Sequence, residues 1–327
     1  MLAIEVHDLR KRYGDTVAVD GVDLAVREGE IFGVLGRNGA GKTTMVEAIA
    51  GLRRPDHGTV RVLGLDPVRD RARVRQVLGV QLQSTALHGA LTVRELVRLY
   101  RTFYRRGADP DQLIETLGLG EARRVRYENL SGGQQQRLSI ALALIGHPRV
   151  ALLDELTTEL DPEARRQIWS MIEDLRAEGV TALLVSHLME EVERLCDRVI
   201  LIDHGRVIAE ETPAGLIALA GLAQRVRFRV DPPFDPSVLD RVPEVTAVQV
   251  GGEQVTVTGT GDLLQSVSAA LVRAGVVATE TRLERATLDD AFLALTGRAL
   301  NETTTTRTTA TRATAPTGPT ATTEENR

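Results

Sequence analysis

The residues Gly36-Arg37-Asn38-Gly39-Ala40-Gly41-Lys42-Thr43-Thr44 satisfy the phosphate-loop pattern G-x-x-x-x-G-K-[ST]. An apolar run, Ile31-Phe32-Gly33-Val34-Leu35, precedes them, and Met45 to Ala50 can continue as a helix. Glycines let consecutive backbone N–H groups curl around phosphate oxygens with no Cβ in the way, and a helix N-terminus adds a favourable dipole. In such a loop Lys42 reaches the β- and γ-phosphates of a nucleoside triphosphate, and the Thr43 hydroxyl ligates Mg²⁺. A glycine-rich turn without a ligand is the bland alternative; the complete pattern between strand and helix argues against it. A second apolar run, Val150-Ala151-Leu152-Leu153, ends in Asp154-Glu155. Ligands of a parallel sheet sit beyond the carboxyl ends of its strands. Asp154 is therefore placed to hold Mg²⁺, directly or through water, and Glu155 to polarise the water that attacks a γ-phosphate. Alone, a strand ending in Asp-Glu reads as two solvated carboxylates. A phosphate loop in the same chain turns the reading towards chemistry.

A third element is Leu130-Ser131-Gly132-Gly133-Gln134, continued by Gln135-Gln136-Arg137. Ser131 can cap a helix running through Leu138 to Ile145, which leaves the amides of Gly132 and Gly133 facing an anion. The run resembles the signature motif of ATP-binding cassette (ABC) ATPases. Other elements of that family fall in the expected order. Tyr13 resembles the aromatic residue that stacks on adenine. Gln83, after Leu78-Gly79-Val80-Gln81-Leu82, resembles the Q-loop glutamine that senses Mg²⁺ and the membrane partner. Leu160-Asp161 resembles the D-loop. Ser186-His187, after the apolar Thr181-Ala182-Leu183-Leu184-Val185, resembles the switch histidine that contacts the γ-phosphate.

The resemblance implies an ATPase that uses ATP and Mg²⁺. Lys42, Glu155 and His187 would be its catalytic residues, and Thr43, Gln83 and Asp154 would serve the metal. Tyr13, residues 36–44, Gln83, Ser131, Gly132, Gly133, Gln134 and Asp161 would contact nucleotide. In the family the phosphate loop of one subunit and the signature helix of another sandwich each ATP. With one copy of each motif here, a homodimer or a heterodimer with a paralogue is implied, together with a separate membrane permease at the cytoplasmic face of the cell membrane. Residues beyond about 215 resemble, more narrowly, the ATPase subunits of bacterial daunorubicin/doxorubicin-resistance exporters, through Leu288-Asp289-Asp290-Ala291-Phe292-Leu293-Ala294-Leu295-Thr296-Gly297. Drug or other hydrophobic-compound efflux is expected on that likeness. Three positions depart from the family: Leu156 stands for a proline, Glu159 for a glycine or other small residue, and Leu82 for the Q-loop proline. Glu159 puts a negative charge beside an expected dimer seam.

These groups need elements to hold them. Residues 1 to about 215 alternate short apolar runs with longer helical patterns, which predicts a parallel α/β sheet. Val22, Leu24 and Val26 alternate with polar residues, as in a half-exposed antiparallel strand. Residues from about 84 to 148 carry helical periodicity and predict an inserted helical subdomain. The expected fold is thus a phosphate-loop α/β domain of ABC type with antiparallel and helical subdomains. Residues 221–300 predict a small α+β unit, with strands at Val226–Val230, Val245–Val250 and Val255–Val257. A helix follows on Leu263, Leu264, Val267, Ala270 and Leu271, and a last helix starts at Thr287 with Asp290 completing its cap. The Thr-rich segment 301–327 has almost no large apolar residue and is expected to be disordered.

Composition narrows the partners. The 327 residues carry a net charge of -5, against a nucleic-acid binder that relies on a positive field. No run approaches the roughly 18 apolar residues that span a bilayer, and no signal peptide is evident, so another chain is expected to supply any spanning helices. Cys196, the single cysteine, falls with Leu188, Val192, Leu195 and Val199 at helical spacing and reads as a core residue. His7, His57, His88, His147 and His204 show no metal-ligand spacing, and the arginines from Arg69 to Arg75 read first as a solvated helix face and second as a contact with lipid headgroups or a membrane partner. The leading function is a transport motor. Non-transport cassettes usually carry two cassettes or a long coiled coil, neither visible here; a regulatory cassette is the remaining alternative.

Overall fold

The computed structural model describes residues 1–82, 87–157, 160–230, 234–284 and 286–297. Gln83, Glu159 and the tail 301–327 lie outside the described residues. The chain opens with β1 (Leu2–Tyr13), β2 (Thr16–Arg27), β3 (Ile31–Leu35), α1 (Lys42–Ile49), β4 (His57–Val62), α2 (Arg71–Val74) and β5 (Leu78–Gln81). Helices α3 (Val93–Arg101), α4 (Pro110–Thr116) and α5 (Gly132–Leu144) follow. Then come β6 (Val150–Asp154), α6 (Pro162–Ala177), β7 (Thr181–Val185), α7 (Met189–Leu195), β8 (Arg198–Asp203), β9 (Arg206–Glu211) and α8 (Pro213–Leu219). Last are β10 (Gln224–Arg229), β11 (Val245–Gly251), β12 (Gln254–Gly259), α9 (Leu263–Arg273), β13 (Thr279–Glu284) and α10 (Leu288–Thr296).

Among the described residues the strands form three sheets. The central one runs β5-β6-β7-β3-β8-β9, parallel except for the antiparallel edge strand β9. Every residue of β3, β6 and β7 is buried, which explains their unbroken apolar runs. Successive side chains still divide between two layers. Val150, Leu152, Leu183, Val185, Phe32 and Val34 face the antiparallel sheet β2-β1-β4 and helix α1. Ala151, Leu153, Ala182, Leu184, Ile31 and Leu35 face the helices on the other side. Both layers are closed by apolar packing, so the carboxyl ends of β3, β6 and β7 are fixed relative to one another.

The third sheet, β11-β12-β10-β13, packs Val226, Phe228, Val255 and Val257 against Leu263, Val267 and Leu271 of α9 and forms its own core. Helix α10 does not join it. Leu288 and Phe292 enter the core of the central sheet's helical layer, where α10 packs on α7 and α8. A second difference concerns Cys196 and Val199. Helix α7 closes with the Cys196 N–H donating to Val192 O, and the Asp197 N–H then donates to Ile31 O, drawing the chain into the sheet. Val199 consequently stands on β8 and not on the helix. Cys196 is buried as expected, and burial pushes its thiol pKa well up.

Candidate active site

The loop from Gly36 to Gly41 joins β3 to α1, and its glycines are required by shape. A Cβ at Gly36 would lie 2.4 Å from Ile202 O. At Gly41, with φ +102°, it would lie 2.1 Å from Ala18 O on β2. The loop is thus clamped between β8 and the β1–β2 hairpin, the hairpin that carries Tyr13 at the end of β1. Tyr13 is 40% exposed, with the Lys11 ammonium 5.7 Å and the Arg53 guanidinium 5.4 Å from its ring centre. A partly exposed aromatic ring on that hairpin can stack on a base.

Lys42 begins α1 and is buried. Its ammonium donates to Gly36 O at 2.5 Å and Arg37 O at 3.0 Å, so it is folded back inside the loop. Burial lowers its pKa, opposed by the charges of Glu155 and Asp154. Thr43 is exposed and Thr44 half-buried in the first turn of the same helix.

Asp154 ends β6 and is only 1% exposed. Its backbone N–H donates to Gln81 Oε1 at 3.0 Å, while its carboxylate Oδ2 has no hydrogen-bond partner among the described residues. Burial, then the neighbouring Glu155 charge, push its pKa to about 6, with Lys42 pulling the other way. A buried carboxylate with a bare oxygen is unfavourable as it stands. It suits a hard cation that prefers oxygen ligands, and the site therefore fits Mg²⁺.

Glu155 follows with φ +52°, a backbone conformation that side-chain-bearing residues rarely take. Its N–H donates to Val185 O at 2.9 Å. His187 stands just beyond β7, its Nδ1 3.4 Å from Glu155 Oε1. Lys42, Asp154, Glu155 and His187 thus gather at the carboxyl ends of three adjacent strands, where a triphosphate and an attacking water can be held together.

Ser131 caps α5. Its hydroxyl accepts from the Gln134 N–H at 3.3 Å, and Gln134 Oε1 accepts from the Ser131 N–H at 3.0 Å. This reciprocal box stiffens the end that Gly132 and Gly133 begin. This end sits against the segment after β6: Gln136 donates to Leu156 O at 2.7 Å, and a Cβ on Gly133 would touch Leu160. Asp161 caps α6, accepting from the Glu163 and Ala164 N–H groups. Those amide bonds, that of Ala164 foremost, lower its pKa.

Gln81 is a site residue that sequence reasoning missed. It is 2% exposed, accepts the Asp154 N–H through Oε1, and donates through Nε2 to Leu82 O at 3.0 Å. A glutamine inside the apolar run Leu78–Leu82 was the available signal.

The ABC transporter family profile matches residues 19–158. The chain is 38% identical over 304 residues to the daunorubicin resistance ATP-binding protein DrrA3 of Streptomyces coeruleorubidus, covering 90% of this chain and 96% of that protein. It is 38% identical over 307 residues to the Nod factor export ATP-binding protein I of Rhizobium meliloti, covering 92% and 90%. Among solved structures, an ATP-binding subunit of an ABC transporter superposes with a TM-score of 0.62 at 26% identity, covering 67% of this chain and 93% of that one. A dimeric ATP-binding cassette in a post-hydrolysis state with ADP and Pi gives 0.60 at 27% identity, covering 64% and 98%.

Proposed function

This chain belongs to the ABC transporter family as an ATP-binding, ATP-hydrolysing subunit, and from that premise we propose that it powers an exporter of drugs or other hydrophobic compounds through a separate membrane permease. The convergence of Lys42, Asp154, Glu155 and His187 at the ends of β3, β6 and β7 carries the chemistry. Lys42 leaves its carbonyl contacts to meet the β- and γ-phosphates. Thr43 and Asp154, with Gln83, hold Mg²⁺, which neutralises phosphate charge when bound. Glu155 orients and polarises the attacking water, and His187 contacts the γ-phosphate. Tyr13 supports the adenine ring, and residues 36–44 supply the phosphate cradle.

The signature residues Ser131, Gly132, Gly133 and Gln134, with Asp161, serve the nucleotide of a second subunit. The dimeric state of a similar cassette supports this. One copy of each motif supports pairing with a second ATPase subunit, either another copy of this chain or a paralogue. Residues 1 to about 215 form the cassette, with the helical part at about 84–148; the strands and helix of residues 224–284 form the C-terminal unit, and α10 after it packs on the cassette. No helix among the described residues is long and apolar enough to cross a membrane; the export roles of the similar ATP-binding proteins support a permease in a separate chain, with this subunit against its cytoplasmic face.

The test has two arms. Glu155→Gln retains ATP binding and loses about 10²–10⁴-fold in hydrolysis rate, while an ATP-bound dimer accumulates. A wild-type rate overturns the site reading. Affinity purification of the tagged chain from solubilised membranes recovers a multi-spanning protein; recovery of the ATPase alone overturns the transport role.

A further inference from the structure

Glu191 lies on α7 with no solvent exposure. It stands within the apolar layer that contains Leu156, Leu160, Ile168 and Val192. Its Oε1 accepts from the Thr157 hydroxyl at 2.8 Å and from the Trp169 indole N–H at 3.0 Å. Its Oε2 has no hydrogen-bond partner among the described residues. A carboxylate with one bare oxygen is an unfavourable choice for a core, so filling space does not account for it. What it grips does. Thr157 stands two residues after Glu155, whose backbone is held at φ +52°. Strained conformations persist only where the surroundings over-determine them. On one side of the strained residue, the Glu155 N–H donates to Val185 O. On the other, Thr157 is tied to Glu191. Val185 ends β7 and Glu191 lies on α7, and His187, 3.4 Å from the Glu155 carboxylate, falls between them in the chain.

We propose that Glu191 is a positioning residue for hydrolysis: through Thr157 it pins the Glu155 segment to the β7–α7 unit and so sets the placement of Glu155 against His187. This rests on the reading of Glu155 as the water-polarising group. The clamp extends to the signature helix, because Leu156 O, between the two held residues, accepts from Gln136. It acts on turnover and not on nucleotide affinity, since none of its bonds touches residues 36–44.

The experiment exploits the two donors that share Oε1. Thr157→Val removes the donor next to Glu155, and Trp169→Phe removes the donor on α6. A purely structural Glu191 makes the two variants alike, with lowered Tm and unchanged turnover. The expected result is that Thr157→Val lowers kcat about tenfold or more, because small misplacements of a reacting group are costly. Its KM for ATP stays within about twofold, and Thr157→Ser restores the rate. Trp169→Phe lowers Tm with kcat within about twofold of wild type. Glu191→Gln, which keeps the accepting oxygen, retains most of the rate, and Glu191→Leu loses it. Wild-type kcat in Thr157→Val, or equal kcat in Glu191→Gln and Glu191→Leu, overturns the proposal. Glu155→Gln is measured beside them. If it turns over like wild type, the reading of Glu155 fails and this one with it. If it is inactive while Thr157→Val is unimpaired, the positioning role alone fails.

Discussion

Asp154 sits at the end of β6 in a place that penalises its charge. Its pKa is raised to about 6, first by burial and then by Glu155, against an unfolded value near 3.9. In unfolded chains the group ionises as pH rises through about 4; in the folded protein it waits until about 6. Stability from this group is therefore fully present below the unfolded pKa and is lost as pH rises through that window, by at most about 3 kcal/mol. Removing the ionisable oxygen should reverse the loss. In protein free of nucleotide and magnesium, Asp154→Asn is expected to melt above wild type at pH 8 and level with it at pH 4. Thermal melts across pH decide this, and a difference independent of pH would contradict the electrostatic account. Lys42, Asp154, Glu155 and His187 were legible in the sequence because each belongs to a short local pattern. Gln81 and Glu191 were not, because their meaning lies in contacts to Asp154, 73 residues away, and Thr157, 34 residues away.

Legibility at the level of elements followed burial. Strands β3, β6 and β7 have neighbours on both edges and layers on both faces, so they read as apolar runs. Strand β13, Thr-Glu-Thr-Arg-Leu-Glu, is an exposed edge held by pairing to β10, and its composition hides it. Helix α5 was legible at its start, because Ser131 followed by glycines is a capping signal, and the box with Gln134 adds rigidity to that start. This element permits a clean separation of folding from function. Aspartate caps helices as well as serine does, whereas alanine costs about 1 kcal/mol. Ser131→Asp is thus expected to keep the wild-type Tm while losing ATPase activity and ATP-dependent dimerisation, because it sets a negative charge where we propose the partner's phosphates bind. Ser131→Ala lowers Tm slightly. Undiminished ATPase in Ser131→Asp would remove the signature end from the nucleotide site.

The whole molecule is tied together by its last helix. Sequence pattern groups α10 with residues 221–300, yet its apolar face lies in the cassette. Leu288 and Phe292 are 1% and 2% exposed, and both belong to the layer that includes Leu216, Val192 and Leu195. The Leu288 N–H donates to Glu193 on α7 at 3.1 Å, beside a helix start capped by Thr287 and Asp290. Helical periodicity shows that α10 has an apolar face but cannot say which core receives it. If 221–297 folded as a fully separate unit, cutting the chain near 220 would leave the cassette melting as before. The packing dictates otherwise: the cut exposes the apolar ground beneath α10 and frees α7, the helix that carries Glu191. Phe292→Ala removes the largest buried side chain of α10, and such truncations cost about 3–5 kcal/mol when the site cannot collapse. Truncation near 220 and Phe292→Ala are both expected to lower the Tm of the cassette and its ATPase rate. Deleting 301–327, which carries almost no large apolar residue, is expected to change neither. Calorimetry on the three variants separates the possibilities. A cassette transition unmoved by Phe292→Ala would show that α10 rests on the cassette without supporting it, and a clear drop on removing only 301–327 would assign the tail a structural part that its composition does not foretell.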